Sequence, residues 1–572
     1  MKKTTGYLLL FLVALAAGDY PLFASPKDTI NRHNGVIAIP APTLEIAENL
    51  AAKQLELLFT DGFLKAQTDS ITDSGDHWIA HISTHQRFYY HIGDIRFKGA
   101  GLPHMGMDKI TLSQPLRFGE FNLFLESLLT QYSIHGYPFA RIEKQDIQFR
   151  KNIIHVNLEA DPGEVIVFDT LSITGDARLS SFFLENYLEI RPGNLFNEKL
   201  VNDAGDKLSD LDFVDLTAPV AISFSPGKAK VALPLRNRPS NRFDGLAGLA
   251  GGGDVNNPVR LTGILNLYLS NAFALGEHLD LAWQGPGSGT QLLNLSGGMP
   301  YPLRLPLETE VSFSLHKQDT SWLQVQFKPG ILFRISPRSR AGVFWHYTQN
   351  NLISTPAIPA NAVLPSILDF RSDLYGLEYR FATRGFTRQL LSPGSQVWIS
   401  TSAGTREIRR NSNLPDELYQ GVEKRQSQFN LETRLKQRWQ TGTRSTFSVS
   451  VRGAYLSGKD LPVNMMYRLG GFKTLRGFDE LSLIASSYAL GYVDFRFFTA
   501  ENSFFSFFAN GGWLEQKTSG NYYNDFPVGV GTGLNLQTQA GIFSINLALG
   551  ALKESPALLR NAKVHVGYIS SF

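Results

Sequence analysis

From Arg242 onward the chain alternates apolar and polar residues, segment after segment, as far as Phe572. Between 259 and 269, Val259, Leu261, Leu265, Leu267 and Leu269 share one parity, while Arg260, Thr262, Asn266 and Tyr268 share the other. Between 428 and 436, Phe429, Leu431 and Leu435 oppose Gln428, Asn430, Glu432, Arg434 and Lys436. Successive side chains of a strand point to opposite faces, so each segment has one apolar and one polar face. About sixteen such segments follow one another. A membrane barrel needs this pattern, with lipid outside, water inside and an even number of strands. Connection lengths separate it from a soluble β-sandwich. The long ones, near 349–371, 405–426 and 457–484, alternate with tight ones near 272–275, 336–337, 441–442 and 500–502, as short turns on one side and long loops on the other require.

The start of the chain points to export. Lys2 and Lys3 precede an apolar run from Tyr7 to Ala17, and Leu22-Phe23-Ala24 leads to Ser25, so residues 1–24 read as a cleaved signal peptide. The run is too short to span a bilayer as a helix. The 572 residues include no cysteine, which excludes a cysteine-linked lipid anchor, disulfides and thiolate metal sites. Aromatics are 12% and charged residues 18%, the latter below the roughly 25% usual in soluble domains. A net charge of +3 gives no basic footprint for nucleic acid.

Residues 25–240 follow a different grammar, mixing helical and strand periods. The clearest module, 91–163, opens with His91-Ile92-Gly93-Asp94-Ile95-Arg96-Phe97-Lys98-Gly99. A helical pattern over 118–135 places Phe121, Phe124, Leu125, Leu128 and Leu129 on one face. Gly136-Tyr137-Pro138-Phe139-Ala140-Arg141-Ile142, a strand from Ile153 to Glu159 and the turn Asp161-Pro162-Gly163 complete it. A second copy, 164–240, begins at Val165, with helical patterns over 180–189 and 198–210 and strands near 220–224 and 230–235. A divergent copy occupies 25–90, with a helix over 44–58 and alternation over 78–85. The period is roughly 70 to 75 residues.

Within the alternating half, Met466-Tyr467-Arg468-Leu469-Gly470-Gly471-Phe472-Lys473-Thr474-Leu475-Arg476-Gly477-Phe478-Asp479-Glu480 is a glycine-rich loop with Arg476 near its centre. An arginine folded into a lumen needs an acidic partner. In Gly491-Tyr492-Val493-Asp494-Phe495-Arg496-Phe497, the outward parity of Val493, Phe495 and Phe497 turns Asp494 inward. The loop resembles the sixth external loop of the bacterial surface antigen superfamily. These are outer-membrane assembly factors of the BamA/TamA type, and the superfamily also holds the two-partner secretion transporters. Phe508-Ala509-Asn510-Gly511-Gly512 is similar to the family's F-x-D-x-G element, with Asn510 where an aspartate is usual. The N-terminal modules resemble POTRA domains, and Val564 to Phe572 resembles the family's terminal sorting signal.

The resemblance implies α+β POTRA modules in the periplasm followed by an outer-membrane barrel of 16 antiparallel strands over 241–572. Gly470, Gly471, Arg476, Gly477, Phe478, Asp494 and Asn510 would form a lumen anchor for the loop. The implied function is insertion or translocation of β-rich polypeptides, as in the TamA type; the alternative is a secretion pore for one dedicated partner. The implied partners are unfolded outer-membrane or secreted clients, outer-membrane lipid and an inner-membrane-anchored or periplasmic protein. The first strand, with Gly245, Gly248 and Gly251, is rich in glycine and poor in packing side chains. Its junction with the last strand, carrying Gly567 and Phe572, is the expected lateral seam. No G-x-S-x-G elbow occurs. His81 and His85 lack an H-E-x-x-H frame, and Gly529-Val530-Gly531-Thr532-Gly533 alternates without a following helix. The expectation is a protein that is not an enzyme and takes no cofactor or metal.

Overall fold

A computed structural model describes residues 31–33, 36–98, 115–250, 260–287, 289–336, 338–354, 364–383, 390–471, 473–500, 502–518, 521–538, 541–553 and 562–571. The signal-peptide segment, Gly251 and Phe572 lie outside the described residues. The chain divides into two compact units. One runs to Val167 and includes Leu195–Glu198; the other comprises Phe168–Asn194 and Lys199–Phe572.

The first unit holds two α+β modules. In the first, the strands Asn31–His33, Val36–Ala41, Trp78–Ser83 and Gln67–Asp73 lie side by side in that order. Helix Leu44–Thr60 starts where the Thr43 hydroxyl accepts the Ile46 N–H at 3.3 Å, satisfying an otherwise orphaned donor. Its Ala51 and Leu58 pack on Ile37, Ala80 and Ile82. In the second, Ile153–Asp161 lies between Tyr89–Phe97, to which it is parallel, and Arg141–Arg150, to which it is antiparallel. Helix Phe118–Ile134 covers this sheet, with Phe121 against Ile92, Val156 and Leu158. In the first module Val36–Ala41 runs antiparallel to Trp78–Ser83, whereas in the second Tyr89–Phe97 runs parallel to Ile153–Asp161. Asp61 joins the two modules, accepting from Arg87 and Arg117 at 2.7 Å each.

The second unit contains a third module and the barrel. Strand Lys228–Asn237 lies between Ala221–Ser225 and Val167–Thr174, and helices Ser181–Leu188 and Glu198–Ser209 belong to the same module. The module is fastened to the barrel through two turns, 271–277 and 301–306. Ser180 N–H donates to the Ala274 carbonyl at 2.8 Å. Asp212 accepts from the hydroxyls of Ser270 (3.0 Å) and Tyr268 (3.4 Å). Phe183 occupies the space that a side chain at Gly276 would need. Burial pushes the Tyr187 phenol up to about 12, so it stays neutral and donates to the Lys207 carbonyl at 2.7 Å.

Among the described residues, seventeen strand segments from Arg242–Ala250 to Lys563–Ser571 close into one antiparallel barrel. Asn521–Asp525 and Val528–Gln537 both pair with Ser503–Thr518 and share one place in the wall, giving the expected sixteen positions. The exposure pattern is the reverse of a soluble protein's. Phe495, Phe497, Phe505, Phe507, Val528 and Val530 are exposed, whereas Gln428, Arg438, Asp494, Ser506, Asn510 and Asn546 are buried. Only a surround of lipid makes this arrangement favourable, because apolar side chains then gain by facing out.

Several charges in the lumen are paired. Glu310 accepts from Arg380 at 2.5 Å, Glu378 meets both Arg380 and Lys328 (3.2 Å to the latter), and Arg340 stands 3.1 Å from Glu308. Removing Glu378 leaves Lys328 beside Arg380 without its carboxylate, while Arg380 keeps Glu310, and an unpaired lumen cation next to a like charge costs more than losing a surface pair. Glu378→Ala is expected to destabilise the barrel by about 3 kcal/mol. A lowered urea midpoint, with the folded barrel still migrating fast in cold detergent gels, checks this.

Candidate functional site: the inserted loop and the wall seam

The segment between the strands Ser445–Ser457 and Ser487–Ala500 is the sixth connection on the barrel end opposite the third module. It does not stay outside the wall. Tyr467–Leu469 pairs antiparallel with Leu483–Ala485, and the tip between them folds back onto lumen-facing residues. Leu469, Leu475 and Phe478 pack with Leu490, Tyr492 and Leu514 of the wall into one apolar cluster.

The glycines make that fold possible. Gly470 and Gly471 have φ of 109° and 89°, and the Thr474 hydroxyl both accepts from Gly470 N–H (2.8 Å) and donates to its carbonyl (2.7 Å). Gly477 has φ 101°, and a Cβ there would lie 2.7 Å from backbone atoms of Leu549. Gly550 presents its own bare Cα to the Gly477 carbonyl, so loop and wall touch backbone to backbone.

Arg476 is held three ways. Its Nη2 reaches Asp494 Oδ2 at 3.4 Å, and its guanidinium lies 3.8 Å from the centroid of the Phe508 ring. Its backbone N–H donates to Asn510 Oδ1 at 3.1 Å, while Asn510 Nδ2 donates to the Arg476 carbonyl at 3.2 Å and to the Gly529 carbonyl at 3.4 Å. Asn510 thus grips the main chain of residue 476. Asp494 is shared, its other oxygen taking Arg496 Nε at 2.7 Å. One carboxylate therefore serves two cations.

The loop also reaches both sides of the junction between the first and last wall strands. Gln284 donates to Glu480 (3.3 Å) and Lys473 to Asn266 (3.5 Å) on one side; Lys563 of the last strand stands 2.7 Å from Asp479 on the other. That junction is short. Arg242, Phe243, Asp244 and Gly245 face Ser571, Ser570, Ile569 and Tyr568, and among the described residues no further pair follows. The first strand pairs with the second over nine positions, and the last with its predecessor over seven. Gly248 lies past the last paired residue and is matched only to Thr262, and Gly567 only to Ser544. Gly251 and Phe572 fall outside the described residues.

Arg496, Phe508, Gly529 and Gly550 complete the anchor beyond the residues expected to form it. Arg496 and Phe508 share the inward parity of Asp494 and Asn510, so strand alternation alone placed them in the lumen. The two glycines gave no such signal, because their role is to leave space for a segment distant in sequence.

A barrel that carries a lumen-seated sixth loop and an incompletely paired seam, preceded by α+β modules, defines the class. Solved structures with this fold include CdiB from Escherichia coli (14% identity, 93% of this chain and 99% of that one, TM-score 0.53). They also include CdiB from Acinetobacter baumannii (13%, 92% and 98%, 0.53). BamA from Haemophilus ducreyi lacking POTRA domains 1–3 aligns at 14% identity over 84% of this chain and 99% of that one, with a TM-score of 0.45. No family model matches the chain, and no curated protein matches it significantly.

Two substitutions separate the contributions to the anchor. Arg476→Ala leaves Asp494 with Arg496, so loop docking is expected to weaken by roughly 1–3 kcal/mol, as for one charged hydrogen bond, and not by the larger cost of an orphaned acid. Asn510→Asp turns a carboxylate towards two carbonyl oxygens and is expected to loosen the loop as much or more. Limited proteolysis within 470–482 reads both; an Asp variant more resistant than the parent contradicts the assigned geometry.

Proposed function

We propose that this protein sits in the bacterial outer membrane and assists insertion or translocation of β-rich polypeptides there, in the manner of the TamA type. The observation that carries this reading is the seam. Among the described residues four pairs join the ends of the wall, against nine and seven on the other sides of the same two strands, and the unpaired stretch of each strand is an edge able to template an incoming strand. The loop bridges that seam from inside through Asp479 and Glu480, so the state of the loop and the state of the seam are linked. Arg476, Asp494 and Asn510 act in this scheme as positioning residues.

The modules, taken as periplasmic POTRA domains at 25–90, 91–163 and 164–240, collect clients. Arg141–Arg150 is an edge strand in its sheet, and it leaves Ile147 and Phe149 exposed. Its register shift between Gln145 and Gln148 is a bulge of the kind that guards an edge from unselective pairing. An extended apolar polypeptide fits there by strand addition.

A secretion pore for a dedicated partner is the second reading, favoured by the likeness in fold to CdiB, a two-partner secretion transporter. The two differ in route: through the seam or through the lumen. Gly245→Cys with Tyr568→Cys places a disulfide across directly facing positions in a chain without native cysteine. In reconstituted vesicles, oxidation is expected to reduce client insertion at least tenfold and reduction to restore it. Full activity in the cross-linked state rejects the lateral route and leaves the lumen.

A further inference from the structure

The turn 301–306, at the barrel end that bears the third module, is bent against its own chemistry. Tyr301, Leu303 and Arg304 adopt φ of 58°, 54° and 66°, the left-handed region that residues with side chains avoid. Packing holds the first of these in place. Tyr301 is buried with its ring 6.2 Å from Phe183 of the third module and 5.9 Å from the Arg334 guanidinium, and its N–H donates to the Leu307 carbonyl at 2.7 Å. The effect of the bend is to thrust Leu303 outward. It is 90% exposed, and Phe273 on the adjacent turn is 78% exposed, so both stand well clear of protein contacts.

A strained backbone that exposes a leucine is unfavourable in water. The surroundings say what relieves it. Met299 on the strand that enters this turn and Leu305 within the turn are exposed, and Leu279, Phe333 and Ile335 on the two flanking strands continue the same outward apolar face. Leu303 and Phe273 thus extend the lipid-facing band past the ends of the strands. Arg304, exposed beside Leu303, supplies a cation where that band ends.

We infer that these two turns form a lipid wedge: Leu303 and Phe273 insert among phospholipids of the leaflet at the module-bearing end, with Arg304 facing their phosphates. The turns join the second to third and the fourth to fifth wall strands.

The absence of cysteine allows a direct test. Leu303→Cys and, as a control on the third module's surface, Ser225→Cys are labelled with a nitrobenzoxadiazole fluorophore. The full chain is then reconstituted in vesicles of dioleoyl phosphatidylethanolamine and phosphatidylglycerol. The label at 303 is expected to shift to the blue and to lose at least half its emission when doxyl-labelled phosphatidylcholine is included, while the label at 225 stays water-like. A water-like, unquenched signal at 303 overturns the wedge. Lipid contact is read directly, so this outcome is independent of whether clients pass by the seam or the lumen.

Discussion

Every backbone donor and acceptor inside a bilayer must find its partner within the protein, since hydrocarbon offers none. That demand dictates closure of the wall, and closure dictates the rest. The polar parity of each strand turns inward, and the lumen becomes the protein's buried interior. Its charges then have to be neutralised there, as Glu310, Glu378, Arg380 and Lys328 do. Among the described residues the wall meets the demand most thinly where its ends join, in four facing pairs.

The inserted loop sits against this weak place. It packs an apolar cluster into the lumen and sends polar side chains to both sides of the junction. Asp494 lies at the centre of the anchor, and its carboxylate is divided between a loop arginine and a wall arginine two residues away. A shared acid makes a graded hold. Either cation can leave without creating an orphaned charge, which suits a loop that has to be seated and also released.

Alternation made the barrel legible, because a period of two over many segments has few other solutions in a chain with this start. The inward position of Asp494 followed from the outward parity of Val493, Phe495 and Phe497, and Arg476 stood out as the arginine at the centre of a glycine-rich loop. What stayed hidden depended on register between distant segments. Asn510 read as a weakened aspartate, yet it serves as a two-handed clasp on a backbone that only the folded loop brings near. The helix of the first module was visible from its period, while the direction of its first strand was not, since strand polarity depends on connections that leave no periodic trace. Likewise, nothing local marks Tyr301 or Leu303 as strained, because the strain comes from packing against the third module.

The meeting of Gly477 with Gly550 has a consequence for how such a site can change over time. Contacts between side chains can drift in small steps, one residue enlarging as its neighbour shrinks. Here each partner is already at the minimum size, and the surfaces that touch are main chain. No compensating partner exists for a gain in volume on either side, so the two positions are constrained jointly and without intermediate states. The chemistry of the anchor around Arg476 can be retuned residue by residue, whereas the depth at which the loop sits is set by this contact between two bare backbones.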